Sequence, residues 1–461
     1  MLRRKITDEL RAWKQAGTGK ALFLTGARQT GKSTAIREFA RAEYPIHAEI
    51  NLYEDKAAAR ALAAASDTQD FISRIALFSH QTLIPGKTVV FLDEVQEQSD
   101  VMTMVKFLVE DGQFDYILSG SMLGTELKGV RSYPVGSVVE KTMRPMDFEE
   151  FCWAIGVQHS TLDMILDCCA TGKPIDPHIH QAMLTNYRSY LLVGGMPEAV
   201  QLFITTNGNL SAVRSLQNEL NRQYRLDISK YAGNRSLQVQ EIFDRMPTQL
   251  IEGNGRFAVS SIGWGARYER NQQDFLWLVD AGVALKTNCV TEPKSPLMRT
   301  SQSPKFKLYQ SDTGMLMARY PITTSRAAYL ADPSPNLGAL YENVIAQELA
   351  AQGVALYYYM AKKHGEVDFI ADAQDGTTIP FEVKSGRSYR THAAIDAAMA
   401  NPDYQIARGV VLSRSNVEQD GDVTYLPLYA SWCLAELYDL ISTNDDASSK
   451  ADPFIISTIA V

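Results

Sequence analysis

The chain has 461 residues, too many for one ordinary core, so two to four domains are expected. Apolar residues make up 45% and charged residues 21%, values of a globular chain that exclude a disordered or fibrous one. A net charge of −8 argues against a protein coated in positive charge for nucleic acid and leaves room only for a local basic stripe.

The five cysteines, Cys152, Cys168, Cys169, Cys289 and Cys433, are odd in number and form no C-x-x-C. That reads as reduced thiols in a cytoplasmic protein, without a zinc site or disulfide framework. Met-Leu-Arg-Arg-Lys at the start is followed by no apolar core of a signal peptide, and no stretch reaches the ~18 apolar residues of a membrane span, so no membrane partner is expected.

Residues 4 to 15 have the spacing of an amphipathic helix, with Ile6, Leu10 and Trp13 on one face. A short apolar run, Ala21 to Thr25, follows, and then Gly26, Ala27, Arg28, Gln29, Thr30, Gly31, Lys32, Ser33 and Thr34, which fit G-x-x-x-x-G-K-[ST]. Glycines allow a tight turn without a Cβ near the anion. Successive N–H groups then point at phosphate, and helical spacing from Thr34 to Tyr44 puts it at a helix N-terminus. ATP with Mg²⁺ is the expected cofactor, Lys32 reaching the β and γ phosphates and the Ser33 hydroxyl ligating the metal. The alternative is a chance Gly-rich turn.

Ile46 to Asn51 reads as a second strand and Ala-rich residues 54 to 79 as helix. After a turn at Pro85-Gly86, Thr88-Val-Val-Phe-Leu-Asp93-Glu94 is an apolar strand ending in two acids. Acids at the carboxyl end of a buried parallel strand lie where ligands bind in open α/β sheets. Asp93 is assigned to Mg²⁺ and Glu94 to polarising the attacking water, against the plainer reading of a solvated acidic turn. Asp115 to Ser121 is a further strand ending in small polar residues, with Ser119 and Ser121 both open as sensors of the γ-phosphate.

These motifs are followed by Arg144-Pro-Met-Asp-Phe-Glu-Glu-Phe, Gly194-Gly-Met-Pro-Glu-Ala, Lys307-Leu-Tyr-Gln-Ser-Asp-Thr-Gly, Glu366-Val-Asp-Phe and Glu382-Val-Lys-Ser. In this order they resemble bacterial and archaeal ATP-binding proteins that join an AAA-type ATPase domain to a C-terminal domain of unknown function. The resemblance covers roughly residues 4 to 435. It departs after the sensor strand, where the family has a Gly-Arg pair and this chain has Val135-Gly136-Ser137. Arg131 and Arg144 flank that place, and either could complete the ATP site.

The resulting expectation is a multi-domain α/β chain. Residues 1–155 form an AAA-type P-loop core on a parallel sheet. Residues 156–235 resemble a helical lid, with helical patterns at Gln181 to Leu192 and Ser211 to Tyr224 separated by a stop and restart at Gly194-Gly195-Met-Pro197. In 236–330, helices at Leu237 to Ile251, Ser260 to Ile262 and Glu269 to Ala281 precede alternating runs at Val283 to Val290 and Lys305 to Tyr309, a winged-helix plan. Arg267, Arg270, Gln272 and Gln273, with Arg214, Arg222, Arg225, Lys230 and Arg235 upstream, read either as a DNA-facing stripe or as solvated helix faces.

Residues 331–440 are expected to form a module with the PD-(D/E)xK metal-nuclease pattern, a nuclease-like fold that the resemblance also implies. Glu342 lies on the apolar face of helix Leu337 to Gln352. Asp368 sits in the strand that starts at Gly365, and Glu382 and Lys384 share one strand face. Glu342, Asp368 and Glu382 would hold Mg²⁺, with Glu382 and Lys384 acting in catalysis and Arg387 near phosphate. The alternative is a structural salt-bridge cluster. Residues 441–461 read as a polar linker and apolar tail. Two functions follow from this reading: an Mg²⁺-dependent ATPase acting on DNA with a metal-dependent nuclease module, or an ATP-dependent switch that recruits a protein partner through an inactive module.

Overall fold

The computed structural model describes residues 2–120, 136–251, 255–263, 266–330, 337–361, 365–386 and 388–442. Ser121, Arg131, Val135, Arg387 and the tail from 443 onward lie outside the described residues.

The first sheet holds β1 (Ala21–Thr25), β2 (Ile46–Asn51), β3 (Thr88–Asp93), β4 (Asp115–Ser119) and β5 (Val138–Thr142), all parallel, in the order β2-β3-β4-β1-β5. β1 and β3 are buried on both faces, as continuous apolar runs require. Alternation sorts their side chains. Ala21, Phe23, Val90 and Leu92 join one apolar cluster with helices Lys56–Ala63, Thr68–Ser79 and Ser99–Asp111. Leu22, Leu24, Val89 and Phe91 join another with helices Ile6–Ala16 and Lys32–Glu43. The helix expected across 54–79 is two helices, because Asp67 accepts from the Asp70 N–H and caps a new start. The important result is the strand order: β4 lies between β1 and β3, so Ser119 emerges beside both the phosphate loop and Asp93.

Beyond the first sheet, helices Phe148–Ala154, His159–Thr171, Pro177–Val193, Pro197–Thr205 and Leu210–Tyr231 follow. The stop and restart occur as read: Gly194 ends one helix and Pro197 takes the first turn of the next.

The second sheet has eight strands in the order β12-β13-β11-β10-β9-β8-β6-β7. They are β6 (Ala284–Val290), β7 (Ser301–Gln310), β8 (Tyr357–Ala361), β9 (Gly365–Asp372), β10 (Thr378–Val383), β11 (Gly409–Ser413), β12 (Glu418–Asp420) and β13 (Val423–Pro427). The three helical pieces of the winged-helix plan are present as Ser236–Ile251, a 3₁₀ turn at Val259–Ile262 and Tyr268–Asp280.

The hairpin β6–β7 differs from a free wing. β6 pairs in parallel with β8, Cys289 opposite Tyr358, so the hairpin is the edge of the second sheet. The physical reason is burial: Ala284, Leu285, Cys289, Phe306, Leu308 and Tyr309 need cover that a solvated wing lacks. One apolar cluster runs from Met146 to Leu440, so the segments expected as lid, winged helix and C-terminal module share a core. All five cysteines are free, and all but Cys168 are buried. No helix among the described residues is long and apolar enough to cross a membrane.

Candidate functional site

The phosphate loop turns at Gly26, whose φ is 133°. A Cβ there would stand 2.1 Å from the Met143 carbonyl oxygen, so only glycine fits. Gly31 leads into helix Lys32–Glu43. Lys32 is buried, and its Nζ donates to the carbonyls of Gly26 at 2.9 Å and Ala27 at 2.8 Å. Among the described residues no carboxylate lies within ion-pair distance of it. Burial lowers its pKa to about 8, against the opposing pull of Glu94 and Asp93. The Thr30 hydroxyl donates to the Ala27 carbonyl at 3.0 Å and braces the loop.

At the end of β3 the Asp93 carboxylate is held, among the described residues, by neutral donors only. Ser33 Oγ donates to Oδ2 at 2.8 Å, Asn51 Nδ2 to the same oxygen at 3.2 Å, and Ser119 Oγ to Oδ1. Ser119, at the end of β4, thus lies against Asp93, while Ser121, the other candidate, lies outside the described residues. Glu94 has a left-handed backbone, φ 58°, which turns its carboxylate out of the strand, and Gln96 Nε2 donates to that carboxylate. An uncompensated buried lysine, an acid held by hydroxyls and an amide, and a loop with no Cβ at Gly26 together fit a nucleotide phosphate with a divalent cation.

Three residues of this site were missed in the sequence. Asn51 faces Asp93 across the β2–β3 register, and its own Oδ1 is fixed by the N–H groups of Tyr53 and Glu54, both at 3.0 Å. An Asn closing a short strand just ahead of a turn was the available signal. Arg4 is the arginine that touches the loop, donating to the Thr30 carbonyl at 2.7 Å, to the Arg144 carbonyl at 2.7 Å and to Glu150 at 3.1 Å. Arg144 itself is half-buried, and burial lowers its pKa. Gly282, between helix Tyr268–Asp280 and β6, lies against Ala27: with φ 70°, a Cβ there would come within 2.8 Å of the Ala27 nitrogen. Nothing local to Gly282 announces that contact.

The loop is also gripped from helix Leu210–Tyr231. Arg28 pairs with Asp227 and donates to the Tyr231 hydroxyl at 2.9 Å, Tyr224 donates to the Arg28 carbonyl at 3.0 Å, and Gln29 meets Gln223 at 2.5 Å. Behind it, Asp312 joins two of the motifs noted in sequence. Its carboxylate accepts from the Gly195 N–H at 2.6 Å and the Met315 N–H at 2.8 Å, and burial raises its pKa to about 6 despite those bonds.

The second acidic set is arranged differently. Glu342 Oε2 accepts from Lys307 Nζ at 2.8 Å and from the Tyr309 hydroxyl at 2.9 Å. Lys307, missed in the sequence, is buried, and it also pairs with Glu366 at 2.5 Å. Asp368 accepts from the Val383 N–H at 2.8 Å, and burial with Glu342 nearby raises its pKa against the pull of Lys307. Glu382 pairs with Lys384, while its other oxygen, Oε2, is buried without a hydrogen bond. The triad of Glu342, Asp368 and Glu382 does not close on one point: among the described residues no three His, Cys, Asp or Glu side chains gather as metal ligands do. Of the three, Glu342 is taken up by Lys307, which reaches in from the edge hairpin as a built-in cation. The basic stripe is likewise largely consumed. Arg222, Arg225 and Arg235 pair with Glu219, Asp244 and Asp274, and Arg214 donates to the carbonyls of Ala318 and Tyr320, whereas Arg267 and Arg270 are exposed.

Residues 18–152 match the family model of an AAA domain. Residues 184–326 and 337–430 match two domains of unknown function, DUF8612 and DUF4143. With the phosphate loop and its acids in place, the class is defined: an AAA-type P-loop ATPase, an ATP hydrolase, joined to a C-terminal domain of unknown function.

No curated protein matches the chain. Similar solved structures include the Walker-type ATPase of Pyrococcus abyssi, with 13% identity over 69% of this chain and 96% of that one and a TM-score of 0.41. They also include the ORC1 protein of Aeropyrum pernix in complex with DNA, with 12% identity, 72% and 93% coverage and a TM-score of 0.30. Cdc6p from Pyrobaculum aerophilum has 11% identity, 70% and 93% coverage and a TM-score of 0.24. Likenesses this distant carry no argument about what the chain binds.

Proposed function

We propose that the chain is an Mg²⁺-dependent ATPase used as a switch, in which the nucleotide state of the phosphate loop is passed to the second sheet, and that the second sheet binds a partner rather than cutting DNA. The observation that carries this reading is the double grip on the loop: Arg28 held by Asp227 and Tyr231, and Ala27 packed against Gly282. Loop residues that receive phosphate cannot adjust without moving a side chain or backbone of the downstream module.

The roles at the site follow from its contacts. The N–H groups from Ala27 to Thr34 and the Lys32 ammonium bind the phosphates, Lys32 leaving the carbonyls of Gly26 and Ala27 for the stronger, charged acceptor. Ser33 and Asp93 would hold Mg²⁺, which neutralises charge on the β and γ phosphates when bound. Glu94 releases Gln96 and polarises water, and Ser119, bonded to Asp93, is placed to read the γ-phosphate. The Lys307 pairing with Glu342 supports a binding role for the second sheet, since it neutralises an acid that metal-assisted cleavage would need free.

Hydrogen exchange of the full chain tests the switch. Saturating ATP should change protection at Asp227–Tyr231 and around Gly282. Hydrolysis with identical exchange there in the free and ATP-bound states would sink it. DNA contact is the second reading, favoured only by exposed Arg267 and Arg270 at the start of helix Tyr268–Asp280. Duplex binding that falls in an Arg267→Ala, Arg270→Ala chain would restore it.

A further inference from the structure

A cleft of about 250 Å³ lies away from the phosphate loop, between helix Pro177–Val193, the start of helix Gly338–Ala351 and the turns after β11 and β13. Arg188, Arg414, Tyr341, Gln181 and Leu428 line it, and among the described residues no acidic side chain does. β10, β11 and β13 run parallel, so Arg414 and Leu428 follow the carboxyl ends of adjacent parallel strands, where open α/β sheets bind ligands.

The two arginines stand apart in an acidic chain whose Arg28, Arg37, Arg74, Arg222 and Arg235 all pair with carboxylates. Among the described residues, neither Arg188 nor Arg414 has a carboxylate within ion-pair distance, and Arg188 bonds only the Thr185 hydroxyl, at 2.9 Å. Tyr341 is 3% exposed, and its hydroxyl has no hydrogen-bond partner among the described residues. Both guanidinium groups act on that phenol, opposing the rise in pKa that burial causes.

The walls are rigid. His180 bonds the Tyr429 hydroxyl at 2.8 Å, and Asn416 exchanges bonds with the main chain of Ile175 at 2.9 and 2.7 Å. Such pinning holds Arg414 against the helix that carries Arg188 before any ligand arrives.

We propose that this cleft binds a small phosphate-bearing molecule, seated between the Arg188 and Arg414 guanidinium groups with the Tyr341 hydroxyl as a third donor. Two unpaired guanidinium groups match a dianion in charge, and their planar N–H pairs match its oxygens.

The phosphate loop would also take phosphate, so the test uses the full chain carrying Lys32→Ala, with inorganic phosphate and glycerol 3-phosphate as probes in calorimetry. Saturable binding is expected, weakened roughly tenfold or more in Arg414→Gln and in Arg188→Gln, the scale of losing a hydrogen bond to a charged group. No saturable binding, or equal binding in all variants, overturns the site. Binding of malonate without binding of phosphate overturns the ligand class. Should a variant fail to fold, protection of Arg188 and Arg414 from phenylglyoxal by phosphate, read by mass spectrometry in the Lys32→Ala chain, decides. Protection supports the site, and equal labelling with and without phosphate removes it. The proposal stands apart from the ATPase switch, and neither failure implies the other.

Discussion

Two regions of this molecule hold the same residue types, lysines among acids at strand ends, and have opposite electrostatic states. At the phosphate loop, among the described residues, Lys32 bonds only carbonyls and Asp93 bonds only hydroxyls, the Asn51 amide and the Glu94 N–H, so both formal charges remain available to a ligand. In the second sheet, Lys307 bonds Glu342 and Glu366, Arg256 also pairs with Glu366, and Lys384 pairs with Glu382, so each of these three glutamates has a cation inside the protein. A site is defined less by which ionisable residues it holds than by which of them are left without an internal counter-charge.

The comparison breaks first at Glu94. Glu94→Gln should lower ATP turnover by roughly 10²- to 10⁴-fold, the range of general-base roles, while ATP still binds. Near-normal steady-state turnover would move the role elsewhere. Lys32→Ala should weaken ATP binding by roughly a hundredfold or more, since it loses charge-assisted bonds to the phosphates. Unchanged affinity in calorimetry would place the nucleotide elsewhere.

In the second sheet, Lys307→Met leaves Glu342 and Glu366 facing each other without their buried cation. Loss of one partner of a buried pair costs about 3–5 kcal/mol, visible as a lower midpoint in urea unfolding. The same variant sharpens the contrast in a second way. Mn²⁺ should give a binding signal there that the unaltered chain lacks, and a Mn²⁺ signal with DNA nicking in the unaltered chain would reinstate the nuclease expectation.

A smaller effect comes from pH. Burial depresses the Lys32 pKa to about 8, so the free protein loses this charge as pH rises through 8, well before an exposed lysine would. Bound phosphates favour the charged form, so binding takes up a proton above pH 8. Affinity should fall by at most about tenfold per pH unit there, and calorimetry in buffers of different ionisation heat reads the proton. For the unliganded fold the sign is that of a depressed lysine: its stabilising effect, relative to the unfolded chain, is present above the unfolded pKa and is lost as pH falls through 8. Smallest is Asn51→Ala, which removes one bond of 3.2 Å to Asp93. At about 1 kcal/mol, the Mg²⁺ concentration for half-maximal turnover should rise roughly fivefold, with ATP affinity in the absence of metal unchanged.

Much of the first sheet was legible because its signals are local. A glycine-rich turn between an apolar run and a helical pattern, and an apolar strand ending in Asp93-Glu94, each encode their geometry within a few residues. Gly194-Gly195-Met196-Pro197 marked the break between the helices that follow the first sheet for the same reason. The hairpin β6–β7 was legible as a hairpin but not as a sheet edge, because its partner β8 arrives only after helix Gly338–Ala351 has been made.

The sequence alone marked the phosphate loop, the strands β1 to β4 and the break at Gly194 to Pro197, since backbone period and turn chemistry are properties of neighbouring residues. Tertiary structure alone decided that Lys307 would occupy Glu342 and Glu366, that Gly282 would rest on Ala27, and that Arg188 and Arg414 would line one cleft with no carboxylate partner among the described residues. Charge pairing and close packing depend on distances between residues far apart in the chain, and no period in the sequence records those distances.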